Sequence, residues 1–177
     1  MPRMLVRPSL TNIFGEAETG LPMVPEAVWR DIVQLFKYCA YMHREAAVQL
    51  LYDRNARTYE VYVPEQEVTA VNCFYGSDEL MLKLAYNQNL KLVCDFHSHH
   101  VMAPEYSLTD AKDEVRNQLY AIWGAFKADS YAITLRKGSK GKYVRIPAED
   151  FFEGYDGIDR PTHREIPAEW IRRIKIK

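Results

Sequence analysis

Apolar residues recur at helical spacing after Pro25, a residue that suits the first turn of a helix. The spacing predicts a long helix that ends near Met42 or His43 and packs one broad face against a sheet. The apolar positions are Val28, Ile32, Leu35 and Cys39, flanked by Trp29, Val33, Phe36 and Ala40.

Runs rich in strand-forming residues predict most of the other elements. The predicted strands are residues 5–6, 48–52, 58–63, 68–74, 92–96, 119–126, 131–136 and 142–146. A second helix is expected to start within residues 76–79 and to bury Leu80, Met81, Leu84 and Ala85. Helices interspersed with hairpins imply a mixed α/β or α+β sandwich.

The composition indicates one globular domain with little net charge. A chain of 177 residues, 47% of them hydrophobic, is long enough to bury a core. We take residues 1–177 as a single domain, with its core at about residues 25–150 and a C-terminal extension at residues 151–177. The formal net charge of −1 gives no electrostatic case for nucleic acid or for a membrane surface.

The cysteines and the chain termini suggest where the protein works. Cys39, Cys73 and Cys94 are odd in number, far apart and set in apolar runs, so we expect buried thiols in a reducing compartment. No N-terminal segment has the form of a signal peptide, and no window approaches a membrane span. We therefore expect a cytoplasmic protein. The short basic end, residues 166–177, is expected to be a packed terminus and not a docking segment.

Two histidines at the end of the predicted strand 92–96 introduce the candidate chemistry. His97 and His99 are two residues apart, so their side chains point to the same side of the strand. Ser107 and Thr109 are both candidate N-caps for a helix predicted over residues 110–118, which would place Asp110 in its first turn. Two imidazoles and a carboxylate are a typical catalytic zinc set that leaves a fourth position to water. The spacing therefore predicts a metal-activated water, and hence a hydrolase.

The string from His97 to Glu114 resembles the JAMM motif of the JAB/MPN metalloprotease family, especially a bacterial or mobile-element branch. The resemblance covers roughly residues 25–150 in element order. It implies a curved mixed β-sheet flanked by helices and one zinc ion held by His97, His99 and Asp110. The family motif also has a glutamate at the start of a strand that follows a long helix, and Glu45 matches it.

The resemblance implies catalytic roles for two further residues. Glu45 would act as general base and then as general acid, whereas a lone glutamate more often caps a helix or forms a salt bridge. Ser107 would donate its hydroxyl to the oxyanion of the tetrahedral intermediate, and its alternative role is a helix N-cap. The chain departs from many relatives at residues 46–48, which replace glycines, and at His100, which replaces a proline.

Three other acidic residues lie close to the motif. Asp95 alternates onto the same face as the two histidines and would orient an imidazole. Asp113 and Glu114 share a helix face with Asp110. For all three, a solvated or salt-bridged side chain is the favoured alternative.

The function implied by the resemblance is hydrolysis of the amide bond after the C-terminal glycine of a ubiquitin-like protein. Such a zinc isopeptidase or peptidase would act on the ubiquitin-like protein or its conjugate. The alternatives are a non-catalytic scaffold of the same fold and a general or phage-tail-associated metallopeptidase. Scaffold members usually lose metal ligands, whereas this chain keeps them. A metal-dependent nuclease is disfavoured because no basic residues gather near the motif. The sequence leaves the oligomeric state open.

Overall fold

A six-stranded sheet forms the centre of the molecule. The computed structural model describes residues 21–108, 110, 118–139, 142–160 and 164–177. The strand predicted at residues 5–6, together with Asp113 and Glu114, lies outside these residues. The helices are α1 (Glu26–Tyr41), α2 (Asp78–Tyr86), α3 (Ala148–Phe151) and α4 (Ala168–Arg172). The strands are β1 (Ala47–Asp53), β2 (Thr58–Tyr62), β3 (Gln66–Val68), β4 (Cys73–Tyr75), β5 (Leu90–Ser98), β6 (Leu119–Gly124), β7 (Ala132–Ser139), β8 (Lys142–Ile146) and β9 (Ile174–Ile176).

The large sheet is mixed, which confirms the predicted α+β class. Its strands lie in the order β2-β1-β5-β6-β7-β8. Strand β5 runs parallel to β6, and every other pair of neighbouring strands in this sheet is antiparallel. A parallel pair needs a long connection, because the chain must return to the same end of the sheet. That connection, residues 99–118, carries most of the candidate chemistry.

The first helix behaves as its apolar spacing predicts. Its buried face includes Trp29, whose ring stacks on Trp123 of β6 at 6.4 Å between ring centroids. Phe36 contacts the same tryptophan ring. The hairpin β1–β2 is also confirmed, with residues 54–57 as the turn. Helix α1 thus covers the sheet beneath the strands that lead to the candidate site.

The single strand predicted at residues 68–74 is wrong. The segment forms two short strands, β3 and β4, joined by a tight turn. The hydroxyl Oγ1 of Thr69 accepts hydrogen bonds from the backbone N–H of Val71 and Asn72, and this local bonding reverses the chain. The C-terminal strand β9 pairs in parallel with β3, which completes a second sheet in the order β4-β3-β9.

The apolar stripe predicted for α2 is confirmed at Leu80 and Leu84 and wrong at Met81 and Ala85. Leu80 is buried and Leu84 is half-buried, but Met81 is 47% exposed and Ala85 is also exposed. The helix has only nine residues, and Leu80 packs in a small satellite cluster away from the main core. Cys39 and Cys94 are buried thiols as expected, whereas Cys73 is only half-buried. Among the described residues, no helix is long and apolar enough to cross a membrane.

Candidate metal centre

The three predicted metal ligands meet at the end of β5. His97 lies near the C-terminal end of this strand, His99 directly follows the strand, and Asp110 has helical backbone geometry. The Nε2 atoms of His97 and His99 are 3.2 Å apart, and Asp110 Oδ1 lies 3.2 Å from His97 Nε2. One donor atom from each residue falls within 4.8 Å of the others. The structure therefore brings together a group that could hold a metal ion.

His99 is oriented by the loop that follows it. Its Nδ1 atom lies 3.1 Å from the carbonyl oxygen of Ala103, so Nδ1 carries the hydrogen and Nε2 is the atom that could bind a metal ion. Burial lowers the pKa of His99, and the charge of His97 lowers it further. A lowered pKa favours the neutral imidazole, which is the form that binds a metal.

Ser107 and Asp110 form a reciprocal cap at the start of a helix. The Ser107 backbone N–H donates to Asp110 Oδ2 at 2.5 Å, and the Asp110 N–H donates to Ser107 Oγ at 3.2 Å. Burial alone would raise the pKa of Asp110, but hydrogen bonding and charge from His97, with the hydrogen bonds to Ser107, hold it well below its usual range. Asp110 is therefore an ionised carboxylate, the form that could bind a metal ion, and the exposed Ser107 hydroxyl keeps its own hydrogen to donate.

Glu45 lies in the same cleft, although it is more than fifty residues away along the chain. It stands between α1 and β1, where its backbone N–H donates to the carbonyl of Thr69 at 2.9 Å. The residue is only 6% exposed. Burial raises the pKa of Glu45 to about 7, with His97 opposing the shift and Asp110 adding to it. A carboxyl group with such a pKa can both accept and release a proton near neutrality.

The loop after β5 is mounted on the end of β6 by its backbone. Three hydrogen bonds join them: His99 N–H to Trp123 O at 2.7 Å, Phe126 N–H to His100 O at 3.1 Å, and Ala125 N–H to Met102 O at 2.6 Å. A Cβ atom on Gly124 would stand 2.5 Å from the Met102 carbonyl oxygen, so this close approach requires glycine. Sequence reasoning missed Gly124. The signal that could have revealed it is a single glycine at the end of a strand of mostly large residues.

Tyr106, the residue before Ser107, anchors the far end of the same loop. Its hydroxyl donates to the carbonyl oxygens of Tyr120 on β6 and Thr134 on β7, at 2.7 Å and 3.1 Å. The guanidinium of Arg136 stacks on its ring, 3.3 Å from the centroid. The start of the helix that carries Asp110 is thereby tied to the sheet. Tyr106 is another residue that sequence reasoning missed.

A cleft of 630 Å³ opens over the candidate ligands. The turn between β3 and β4 and strand β4 form one side of it, and residues 102–105 form another. Asp95 lines the cleft as well, where the side-chain amide of Gln118 donates to its carboxylate. A role for Asp95 in orienting an imidazole stays a prediction.

Comparison with known proteins does not assign the chain to a family. No family model matches it, and no curated protein matches it. A solution structure of a protein from Desulfitobacterium hafniense is similar at 14% identity over 70% of this chain and 90% of that one, with a TM-score of 0.49. One from Salinibacter ruber is similar at 16% identity over 81% of this chain and 99% of that one, with a TM-score of 0.44. The resemblance to JAB/MPN proteins stays a prediction.

Proposed function

We propose that this chain is a JAB/MPN-type zinc metalloprotease that hydrolyses the amide bond after the C-terminal glycine of a ubiquitin-like protein. One observation carries the proposal. A two-histidine, one-carboxylate cluster and a buried glutamate from a distant part of the chain line the same open cleft. This is the set of groups that metal-assisted amide hydrolysis needs.

Support for zinc comes from the donor atoms and their spacing. Two imidazoles and one carboxylate are the protein ligands of many catalytic zinc sites. In a tetrahedral site with bonds of about 2.05 Å, neighbouring donor atoms lie roughly 3.3 Å apart. The 3.2 Å separations of His97 Nε2 from His99 Nε2 and from Asp110 Oδ1 fit that geometry. Zinc bound there would supply a Lewis acid and lower the pKa of water at the open fourth position.

The chain's own residues then handle the protons and the substrate. Glu45 accepts the proton of the attacking water and passes it to the leaving amine, so one residue serves as base and acid in turn. The Ser107 hydroxyl, free to donate, stabilises the oxyanion that develops on the scissile carbonyl. Burial of Glu45 keeps bulk water from competing for the proton.

The substrate class is inferred from the resemblance, and the cleft is compatible with it. Strand β4 is an edge strand of the small sheet, and Cys73 and Tyr75 of β4 line the cleft. An extended peptide can pair with such an edge through backbone hydrogen bonds that are independent of its side chains. A glycine tail would allow the closest approach of that peptide to the ligands.

The test combines zinc content with turnover. Purified wild-type protein should bind about one equivalent of zinc and cleave a ubiquitin-like fusion after its terminal glycine. Glu45→Gln should keep zinc and lose turnover by about 10²-fold or more, which is typical of general acid–base residues. Asp110→Ala should weaken zinc binding. Glu169→Gln, at an exposed position on α4, is the matched control for loss of one carboxylate.

Four outcomes would overturn parts of this proposal. Unchanged zinc affinity in the double variant His97→Ala, His99→Ala would remove the metal assignment. Near-normal turnover in Glu45→Gln would remove its role as the base. Zinc binding without cleavage of any amide substrate would favour the scaffold, and equal cleavage when the last glycine is made bulky would favour a general peptidase.

A further inference from the structure

His100 occupies a backbone conformation that its residue type seldom adopts. Its φ angle is +39°, in the left-handed region where a side chain with a Cβ is strained. The residue is also only 6% exposed. A strained and buried imidazole directly after the ligand His99 persists only where the surrounding structure holds it. Its contacts therefore indicate what it does.

The His100 side chain reaches across to a different part of the fold. Its Nε2 atom lies 2.9 Å from the carbonyl oxygen of Ala70, so Nε2 carries the hydrogen and donates it. The ring stands edge-on to that of His43, with 5.9 Å between centroids. Its Nδ1 atom is buried without a hydrogen-bond partner among the described residues. The Ala70 contact is thus the hydrogen bond that the imidazole makes within the described structure.

Ala70 belongs to the turn that forms one wall of the cleft. Thr69 closes this turn, since its N–H donates to Asn72 O at 2.8 Å and its Oγ1 accepts from the backbone N–H of Val71 and Asn72. The carbonyl of Thr69 accepts the backbone N–H of Glu45 at 2.9 Å. Any displacement of the turn would therefore move the cleft wall and break the hydrogen bond that the turn makes with the backbone of Glu45.

The backbone of His99 and His100 is hydrogen-bonded to the end of the large sheet. The carbonyl of His100 accepts the backbone N–H of Phe126, just beyond β6, at 3.1 Å. The neighbouring His99 N–H donates to Trp123 O in β6 at 2.7 Å. The backbone at residues 99–100 is thereby fixed to the large sheet, and the imidazole extends from it to the small one.

We propose that His100 is a positioning residue that holds the turn at residues 69–72, and with it the carbonyl that accepts the Glu45 N–H, at a set distance from the metal ligands. The inference that turnover depends on this spacing rests on the proposed function. The spacing itself does not, because it is a property of the fold. The position is also one where this chain departs from the proline of many JAB/MPN proteins.

Two variants isolate the hydrogen bond from the backbone strain. His100→Gln keeps a side-chain N–H donor of similar reach, whereas His100→Leu fills the space without a donor. Neither residue is glycine, so both bear the same cost of a positive φ angle. A difference between them therefore reports on the bond to Ala70.

The experiment measures amide hydrogen exchange by NMR in the full-length protein, with zinc alone added as the metal. His100→Leu should accelerate exchange at Glu45 and Asn72 by about tenfold or more, and His100→Gln should stay close to wild type. Amides of β6 should be unchanged in both variants. Zinc affinity should stay within about threefold of wild type, because His97, His99 and Asp110 lie on β5 and on the loop that is hydrogen-bonded to the large sheet.

Activity gives a second readout with a separate meaning. If the proposed function holds, zinc-loaded His100→Leu should lose kcat about tenfold while His100→Gln recovers it. Wild-type exchange at the turn in His100→Leu would overturn the proposal, and so would faster exchange spread evenly through β6. Local acceleration at the turn in a protein without turnover would support the positioning role and count against the proposed function alone.

Discussion

At the residue scale, Glu45 stands where an ionised carboxylate is costly. Burial is the largest influence on it, and the charge of His97 offsets that influence only in part, so the pKa of Glu45 is raised to about 7. In the unfolded chain the group has an ordinary pKa near 4.5. The folded metal-free protein therefore retains a proton that the unfolded chain releases between these two pH values.

This difference predicts a pH-dependent gain in stability for Glu45→Gln in metal-free protein. Because the folded pKa is raised, wild-type stability falls as pH rises from 4.5 to 7, and the loss above pH 7 is about 3 kcal/mol. Glutamine carries no charge and escapes this loss. Urea unfolding with a chelator present should show a small difference in the free energy of unfolding between wild type and Glu45→Gln at pH 5. At pH 8 the free energy of unfolding should be clearly higher for Glu45→Gln. The same difference in the free energy of unfolding between the two proteins at pH 5 and at pH 8 would contradict the raised pKa of Glu45.

At the element scale, the candidate site depends on how the β5–β6 connection is attached. Its ligands are local in sequence, but the loop that carries them is held by backbone bonds to the end of β6 and by the Tyr106 hydroxyl on β6 and β7. Gly124 allows that attachment, since the carbonyl of Met102 occupies the space of an absent Cβ. The candidate metal ligands should therefore respond to a change on a neighbouring strand.

Gly124→Ala should weaken zinc binding by about tenfold or more, although Gly124 is not a ligand. The added methyl group would meet backbone at 2.5 Å, so the loop has to shift away from β6. Gly76→Ala is the matched control, because its added Cβ would have no heavy atom within 4 Å. Competition with a chromogenic chelator measures both affinities. Equal affinity in Gly124→Ala and wild type would mean that the ligands do not depend on this attachment.

At the scale of the whole molecule, the cleft is lined by residues of both sheets. The large sheet supplies His97, whereas the small sheet supplies a wall that is held by the C-terminal strand β9. Arg173, next to β9, donates to the carbonyl of Val63 at 3.2 Å and pairs with Glu79 at the start of α2. The C-terminal segment thus supports the wall of the cleft that the small sheet forms.

Removal of residues 173–177 should loosen the wall and spare the metal cluster. The half-buried thiol of Cys73 in β4 should then react faster with a thiol reagent, because β3 loses one of its two partners. Cys39 should stay slow, since it is buried and burial raises the pKa of its thiol to about 12. Labelling followed by mass spectrometry distinguishes these thiols. A large loss of zinc affinity in the truncated protein would show that the two sides are not independent.

The sequence by itself determined those features that depend on neighbours along the chain. Helix α1 and the β1–β2 hairpin follow from periodicity, and the three candidate ligands follow from spacing within fourteen residues. Glu45 was different, because only the resemblance connected it with the histidines. The structure places it in their cleft.

Only the tertiary structure decided how distant segments meet. It divided residues 68–74 into two strands, left half of the predicted α2 stripe exposed and joined β9 to β3. The contacts of Gly124 with Met102 and of His100 with Ala70 also join separate parts of the chain. Periodicity reports which face of an element is apolar, but burial depends on what packs against that face. That partner, and the close approach of one backbone to another, arise only when the whole chain folds.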